Sequence, residues 1–286
     1  MSMILPANAK INLGLDILGV REDGYHEVKM VMQSLMLHDD IGVGKNEEEK
    51  ILIKCDSDAI PCDERNLCFQ AARLMQKEYG IPQGITITIN KRIPVAAGLA
   101  GGSADAAASL IGINEMFSLG LSEEELRKQA VLLGADVPYC IMKKTALSEG
   151  IGERLTELSA LPECRILLFT PDIPVSTASV YKKFDQTGEK THPDIGGMIQ
   201  ALSEGDLKGV AALLGNVLEA VTEREHPVIS AVKEKMKEFG ALNAIMSGSG
   251  PTVFGIFDDP EKAGDAYTRL KRENFSGQVL LTDSYT

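Results

Sequence analysis

No run of eighteen or more apolar residues occurs in this 286-residue chain, so no transmembrane helix is expected. The opening MSMILPANAKINL lacks a basic stretch followed by an apolar one, so no signal peptide is expected either. Cysteine is scarce: Cys55, Cys62, Cys68, Cys140 and Cys164 make an odd count of five, with no C-x-x-C. This argues against a disulfide framework and a zinc site, and a reduced cytoplasm fits best. Positive charge is short as well, with 29 Lys and Arg against 41 Asp and Glu, a net charge of −12. A general nucleic-acid surface is thereby disfavoured, although a local cationic site for a small anion is not. Several nucleotide-enzyme signatures are missing: G-x-x-x-x-G-K-[ST], G-x-G-x-x-G, H-R-D and D-F-G. What remains is the composition of a soluble globular protein, 44% hydrophobic and 24% charged, long enough for one large domain or two ordinary ones.

The most informative stretch is residues 94–107, PVAAGLAGGSADAA. It follows an alternating apolar run at 85–89 that reads as a strand, and it leads into a helix expected at 106–117. A glycine-rich turn between strand and helix leaves backbone N–H groups without partners. The helix N-terminus adds partial positive charge, so the turn can hold a phosphate. Gly98, Gly101 and Gly102 have no Cβ to keep a polyphosphate away. An ordinary glycine-rich connection is the alternative.

The remaining elements follow from periodicity and turn residues. Strands are expected at 11–18 and 28–37, with a turn at 21–24 between them, and a helix at 65–79. Ser122 with Glu125 forms a capping box for a helix ending at Gly134. A strand is expected at 165–169, helices with short links from 177 to 239, then a strand (241–246), a glycine turn (247–251), a strand (252–257), a helix (260–272) and a strand (278–282). The last part suggests an α+β sandwich. A boundary between two domains is expected near residues 150–165, giving 1–155 and 156–286.

Three further blocks could carry chemistry. In PANAKINLGLDILGVREDGYHEV, Lys10 and Asn12 alternate with Ile11 and Leu13 and share one strand face. A lysine on such a face is ordinarily solvated, and Tyr25-His26 after the turn could be an edge pair. In LLGADVPYCIMKK, Asp136 could cap a helix or stand as a carboxylate at a pocket mouth. IMSGSGPTVFGIF reads as a hairpin with a glycine turn or as a second backbone lid over a ligand.

Together these blocks resemble the GHMP kinases over essentially the whole chain. The family's P-x-x-x-G-L-[GA] appears as Pro94, Val95, Ala96, Ala97, Gly98, Leu99 and Ala100, and is extended by Gly101, Gly102, Ser103 and Ala104. The A-K-[IL]-N-L and R-x-D-G-Y-H blocks, with Gly-Ala-Asp-Val-Pro and Ser-Glu-Gly-Ile-Gly-Glu, are similar to one subgroup. Its substrate is a cytidine diphosphate-linked methylerythritol, phosphorylated at the 2-hydroxyl by ATP in isoprenoid precursor synthesis. The resemblance implies an α+β fold with an N-terminal nucleotide-binding domain and a C-terminal α/β sandwich. It implies that Asp136 accepts the substrate's hydroxyl proton, while Lys10 lowers that hydroxyl's pKa and neutralises the moving phosphoryl. It further implies that residues 94–104 bind ATP and that Asn66 and Lys91 line the adenine pocket. Tyr25 and Tyr181 would stack on cytosine, His26 would read its edge, and Asn12 and Thr177 would contact substrate. Tyr181 stands where Phe is common and keeps the stacking face.

Ala104 departs from the family, which usually has a second hydroxyl there. Mg²⁺ is therefore expected on the phosphates and water, with no protein metal site. Asp105 is expected to serve the helix dipole and face away from the phosphates. The implied partners are ATP and the small-molecule substrate, with no nucleic acid or membrane, in a cytoplasmic monomer or homodimer. Another GHMP kinase, of homoserine or mevalonate type, and an inactive GHMP-fold binding protein are the alternatives.

Overall fold

Alternating apolar residues at the N-terminus produce two strands longer than their patterns predict: β1 (Ser2–Val20) and β2 (His26–Asn46). The computed structural model describes residues 2–188 and 191–285. Next in the chain come β3 (Ile51–Cys55), α1 (Leu67–Tyr79), β4 (Gly84–Asn90), α2 (Gly101–Met116), α3 (Glu123–Ala130) and α4 (Val137–Met142). They are followed by β5 (Thr145–Gly150), β6 (Arg154–Glu157), β7 (Arg165–Pro171), α5 (Thr177–Thr187), α6 (Ile195–Glu204) and α7 (Leu207–Ala212). The chain closes with β8 (Gly215–Asn216), α8 (Glu219–Glu225), α9 (Val228–Glu238), β9 (Asn243–Met246), β10 (Val253–Phe257), α10 (Pro260–Leu270) and β11 (Gly277–Asp283).

Backbone contacts divide the chain into two units that interleave in sequence. The first holds Met1–Ala9, Leu37–Val95 and Ala100–Lys143; the second holds Lys10–Met36, Ala96–Leu99 and Lys144–Thr286. In the first unit, β4 pairs antiparallel with β2 from Asp40↔Asn90 to Asn46↔Gly84, and parallel with β3. Ile41, Val43, Ile85, Ile87 and Ile89 point from these strands into the core. Helix α2 packs on α1 and α4, and α3 packs on α4. The capping box of α3 forms as its sequence predicts: Ser122 Oγ accepts from the Glu125 N–H at 3.3 Å, and Glu125 Oε2 accepts from the Ser122 N–H at 2.9 Å.

In the second unit, the N-terminal half of β2 pairs antiparallel with β5 from Val28↔Gly150 to Gln33↔Thr145, and β1 pairs parallel with β8 at Gly14↔Gly215. A separate antiparallel sheet runs β11–β7–β10–β9. Leu167, Phe169, Val253 and Phe257 of this sheet pack against Ile229, Val232 and Met236 of α9 and Ala263, Ala266 and Leu270 of α10. This is the α+β arrangement expected of the tail. Among the described residues, no helix is long and apolar enough to cross a membrane.

One boundary differs in a way that matters. Helix α2 begins at Gly101, not near Ala106. Ala100, at φ +55°, takes the left-handed conformation of its N-cap, so Gly101, Gly102 and Ser103 form the helix's first turn rather than a free loop. Small residues let this helix approach its surroundings closely. A Cβ on Gly112 would lie 2.7 Å from Val43 Cγ2 and 2.9 Å from Leu5 Cδ1. Gly112→Ala should therefore cost about 1–3 kcal/mol through overpacking, despite alanine's better helix propensity. Urea unfolding measures this, and a variant as stable as the parent would contradict the packing argument.

Candidate active site

The alternation of β1 puts Lys10 and Asn12 on one polar face, and both are buried, at 5% and 0% exposure. Lys10 Nζ donates to Asn12 Oδ1 at 2.8 Å, and Asn12 Nδ2 donates to Met30 Sδ at 3.3 Å. The ordinary solvated reading of Lys10 thus fails: burial of a charge demands a specific setting. The Lys10 backbone N–H also holds the glycine loop, donating to the Leu99 carbonyl at 3.1 Å.

The second glycine turn packs on the first, backbone to backbone. Ser247 Oγ donates to the Gly98 carbonyl at 3.1 Å, and the Thr252 N–H donates to the Ala97 carbonyl at 3.3 Å. Gly98 sits at φ +76°, and a Cβ there would lie 2.5 Å from the Ser247 carbonyl oxygen and 3.0 Å from that of Gly250. Gly248, at φ +58°, is the closest approach to the lysine: its Cβ would meet Asn12 Oδ1 at 3.3 Å and Lys10 Nζ at 3.8 Å. Asn216 fixes this turn from behind, donating from Nδ2 to the carbonyls of Met246 (2.9 Å) and Gly248 (2.7 Å).

Ser249 carries the turn to α5, with its Oγ 2.7 Å from Thr177 Oγ1. Thr177, Tyr181 and Asp185 recur every fourth residue and so share one stripe of α5. The Tyr181 ring stands 4.8 Å from the His26 ring at 51°, and His26 Nε2 is 2.8 Å from Asp185 Oδ1. With Asp185 accepting from Nε2–H, a neutral His26 keeps Nδ1 as an acceptor. Tyr25 beside it is 61% exposed. Lys10, Asn12, Gly98, Thr177, Tyr181 and His26 are therefore joined through one turn inside the second unit.

The first unit holds Asn66, Lys91, Pro94, Val95, Ala100 to Ala104 and Asp136. Asn66 caps α1: its Oδ1 accepts from the Cys68 N–H at 2.8 Å, and its Nδ2 donates to the Pro61 carbonyl at 2.8 Å. Asp136 stands at the N-cap position of α4, yet its side chain accepts no capping bond from that helix. The first turn of α2 likewise has no side-chain cap, so the N-terminal N–H groups and partial positive charge expected for a phosphate are present at Gly101 to Ser103.

Lys91 lies between two carboxylates. Its Nζ contacts Asp39, and donates to Asp105 Oδ2 at 3.0 Å. This corrects the expectation for Asp105. Because α2 starts at Gly101, Asp105 lies beyond the first turn, buried against Lys91 instead of serving the helix dipole. Burial pushes its carboxyl up to about 7, against the pull of Lys91 and with the help of Asp39. Burial alone would lower Lys91, but Asp105 and Asp39 outweigh it and hold the ammonium above the ordinary lysine range. Asp39, Asp185 and Asn216 lie in none of the sequence motifs, whereas Ser249 belongs to the second glycine turn. Only the fourth-residue spacing of Asp185 from Tyr181 was there to find.

An uncapped helix start in the first unit, a buried lysine in the second and an α+β frame are features that a phosphoryl-transfer enzyme can use, and similarity to known proteins supplies the family. Residues 66–144 match the GHMP kinases N terminal domain and residues 198–277 match the GHMP kinases C terminal domain. The chain belongs to the GHMP kinase family. It is 50% identical to a protein of Lachnospira eligens named 4-diphosphocytidyl-2-C-methyl-D-erythritol kinase, over 100% of this chain and 99% of that one. A crystal structure of 4-(cytidine 5'-diphospho)-2C-methyl-D-erythritol kinase superposes with a TM-score of 0.83 at 31% identity, covering 99% of this chain and 100% of that one. A homoserine kinase from Cytophaga hutchinsonii shares the fold, with a TM-score of 0.80 at 18% identity over 98% of this chain and 94% of that one.

The buried carboxyl has a pH signature. Asp105 titrates near 7 when folded, above its ordinary value of 3.8, so the native chain holds an extra proton between those limits. Its stabilising contribution is complete below about pH 4 and declines as pH rises towards 7, by on the order of 1 kcal/mol per pH unit. Asp105→Asn removes this titration. Urea unfolding at pH 5 and pH 7.5 should show the variant gaining stability relative to the parent at the higher pH; parallel profiles would contradict the assignment.

Proposed function

We propose that this chain transfers the γ-phosphoryl group of ATP to the 2-hydroxyl of 4-diphosphocytidyl-2-C-methyl-D-erythritol, a step in non-mevalonate isoprenoid precursor synthesis. The observation that carries the reading is the convergence of Lys10, Asn12, Gly98, Thr177 and the His26–Tyr181 pair on one glycine turn. It is supported by relatives of that name at close to half identity over the full chain. An aromatic ring and an oriented imidazole suit a nucleobase, which a mevalonate or homoserine substrate lacks.

In this reading Asp136 takes the hydroxyl proton. Lys10 neutralises charge on the transferring phosphoryl, so positioning and electrostatics supply most of the acceleration. Backbone N–H groups from Gly98 to Ser103 hold the triphosphate. A Cβ on Gly101 would come within 3.2 Å of Ile93 Cγ2 and 3.3 Å of Lys91 Nζ, so the loop is built for a residue without one. Mg²⁺ would sit mainly on phosphate and water oxygens, since Ala104 offers no hydroxyl, and would add charge neutralisation. Asn66 and Lys91 would border the adenine through their backbone and stems, their polar ends being engaged within the protein. Tyr25 would close over the exposed face of the cytosine. Five free cysteines fit a reduced cytoplasm. A division into domains 1–155 and 156–286 remains part of the proposal, as does function as a monomer or homodimer.

The deciding assay offers the purified chain ATP with the cytidyl alcohol, mevalonate or homoserine. Turnover of the cytidyl alcohol alone, inhibited competitively by CMP, is expected; turnover of either other alcohol with indifference to CMP would overturn the reading. Asp136→Asn should lower kcat by about 10²–10⁴-fold with ATP affinity unchanged, and activity within threefold of the parent would remove Asp136 from the chemistry. Tyr181→Ala should raise the KM for the cytidyl substrate about 10–100-fold, the value of one base–aromatic stack. An unchanged KM would return that ring to a packing role.

A further inference from the structure

Asp39 belongs to no motif, yet it is fully buried beside the loop proposed to hold the triphosphate. The β2–β4 ladder ends at Asp40↔Asn90, where the chain turns away into Lys91, Arg92 and Ile93. Beyond that pair no backbone acceptor continues the ladder, and the Asp39 carboxylate takes its place. Asp39 Oδ1 accepts from the Arg92 N–H at 2.5 Å and the Ile93 N–H at 2.9 Å, while Oδ2 contacts Lys91 Nζ. Lys91 in turn donates to Asp105 Oδ2 at 3.0 Å, one turn into α2. Gly101, the first residue of that helix, rests on Lys91 and Ile93. One carboxylate therefore ties the strand exit, residues 91–93, to the helix start, residues 101–105, across the glycine loop. Burying a carboxylate under an anion site is unfavourable by itself, so its presence needs the lysine and the N–H groups it organises.

We propose that Asp39 is a positioning residue for nucleotide binding, which acts through Lys91 and Asp105 to set where the N-terminus of α2 meets the ATP phosphates. The inference rests on the ATP reading above but not on the identity of the phosphoryl acceptor. Asp39→Asn keeps the size and an acceptor for the two N–H groups while removing the charge that holds Lys91.

The test measures equilibrium binding of ATP and of adenosine by calorimetry, with circular dichroism and thermal unfolding to establish that each variant is folded. Asp39→Asn should raise the Kd for ATP tenfold or more and leave the Kd for adenosine within twofold, because the phosphates depend on the helix start, while adenine would meet only the backbone and stem of Lys91, whose N–H the Asp56 carboxylate still holds at 2.9 Å. Should Asp39→Asn not fold, Asp105→Asn measured at pH 8, where Asp105 is charged in the parent, is expected to raise the ATP Kd at least threefold with the same indifference to adenosine. A folded variant that binds ATP within twofold of the parent would overturn the proposal, as would equal weakening of ATP and adenosine, which is the mark of a merely structural role. A parent chain that binds ATP but does not phosphorylate the cytidyl alcohol would refute the substrate assignment and leave this inference standing. A parent chain that binds no ATP would refute both.

Discussion

The side-chain cluster of the second unit depends on the contact between Gly98 and the Ser247–Gly250 backbone. Two glycine turns from distant parts of the chain approach until no Cβ fits between them. Only left-handed glycine backbone allows that approach without strain. The contact fixes Gly98, and Gly98 fixes the loop whose Leu99 carbonyl is held by Lys10. The same second turn presses Gly248 against Asn12 and Lys10 and offers Ser249 to Thr177. Lys10 with Asn12, the loop at Gly98 and the helix that carries Thr177 are thus referred to one piece of backbone, itself held by Asn216. Backbone is a better reference than a side chain here because it has no rotamer to lose.

Charge is arranged just as locally. A chain of net charge −12 that handles two polyanionic ligands cannot attract them with its whole surface. In the proposed reading the attraction is local, from groups such as the uncapped start of α2 and the buried Lys10, which cost little reorganisation once folded. The buried Asp39–Lys91–Asp105 group is of a different kind. Its carboxylates do not attract phosphate, and their place beneath the loop makes sense as scaffolding.

How much of this was legible in the sequence varied with sequence distance. The α+β class, the capping box at Ser122 and the strands from 165 onward follow from local patterns and form nearly as read. Lys10 with Asn12, and Tyr181 with His26, were picked out by resemblance, and the structure brings each pair together. The start of α2 departs from its pattern because glycines ordinarily mark loop, whereas Ala100 in the left-handed region lets the helix begin five residues earlier. The same shift takes Asp105 out of the helix's first turn. Asp39 leaves no signal in the sequence: its partners lie more than 50 residues away, and an aspartate just past the strand expected at 28–37 is ordinarily solvated. Long-range side-chain partners of this sort leave no periodicity to detect.

Gly98 offers the most direct test of the central claim that backbone contact between the two turns builds the site. Steady-state kinetics of Gly98→Ala, with ATP and the cytidyl alcohol varied in turn, should show kcat/KM reduced at least about 100-fold for both substrates in a chain that remains folded. Alanine at this conformation is strained by about 1–2 kcal/mol, and the clash with the Ser247 carbonyl must push the turns apart, displacing the loop at Gly98 and the turn that meets Asn12 and Thr177 together. A folded Gly98→Ala enzyme with near-parental kcat/KM for both substrates would contradict the account.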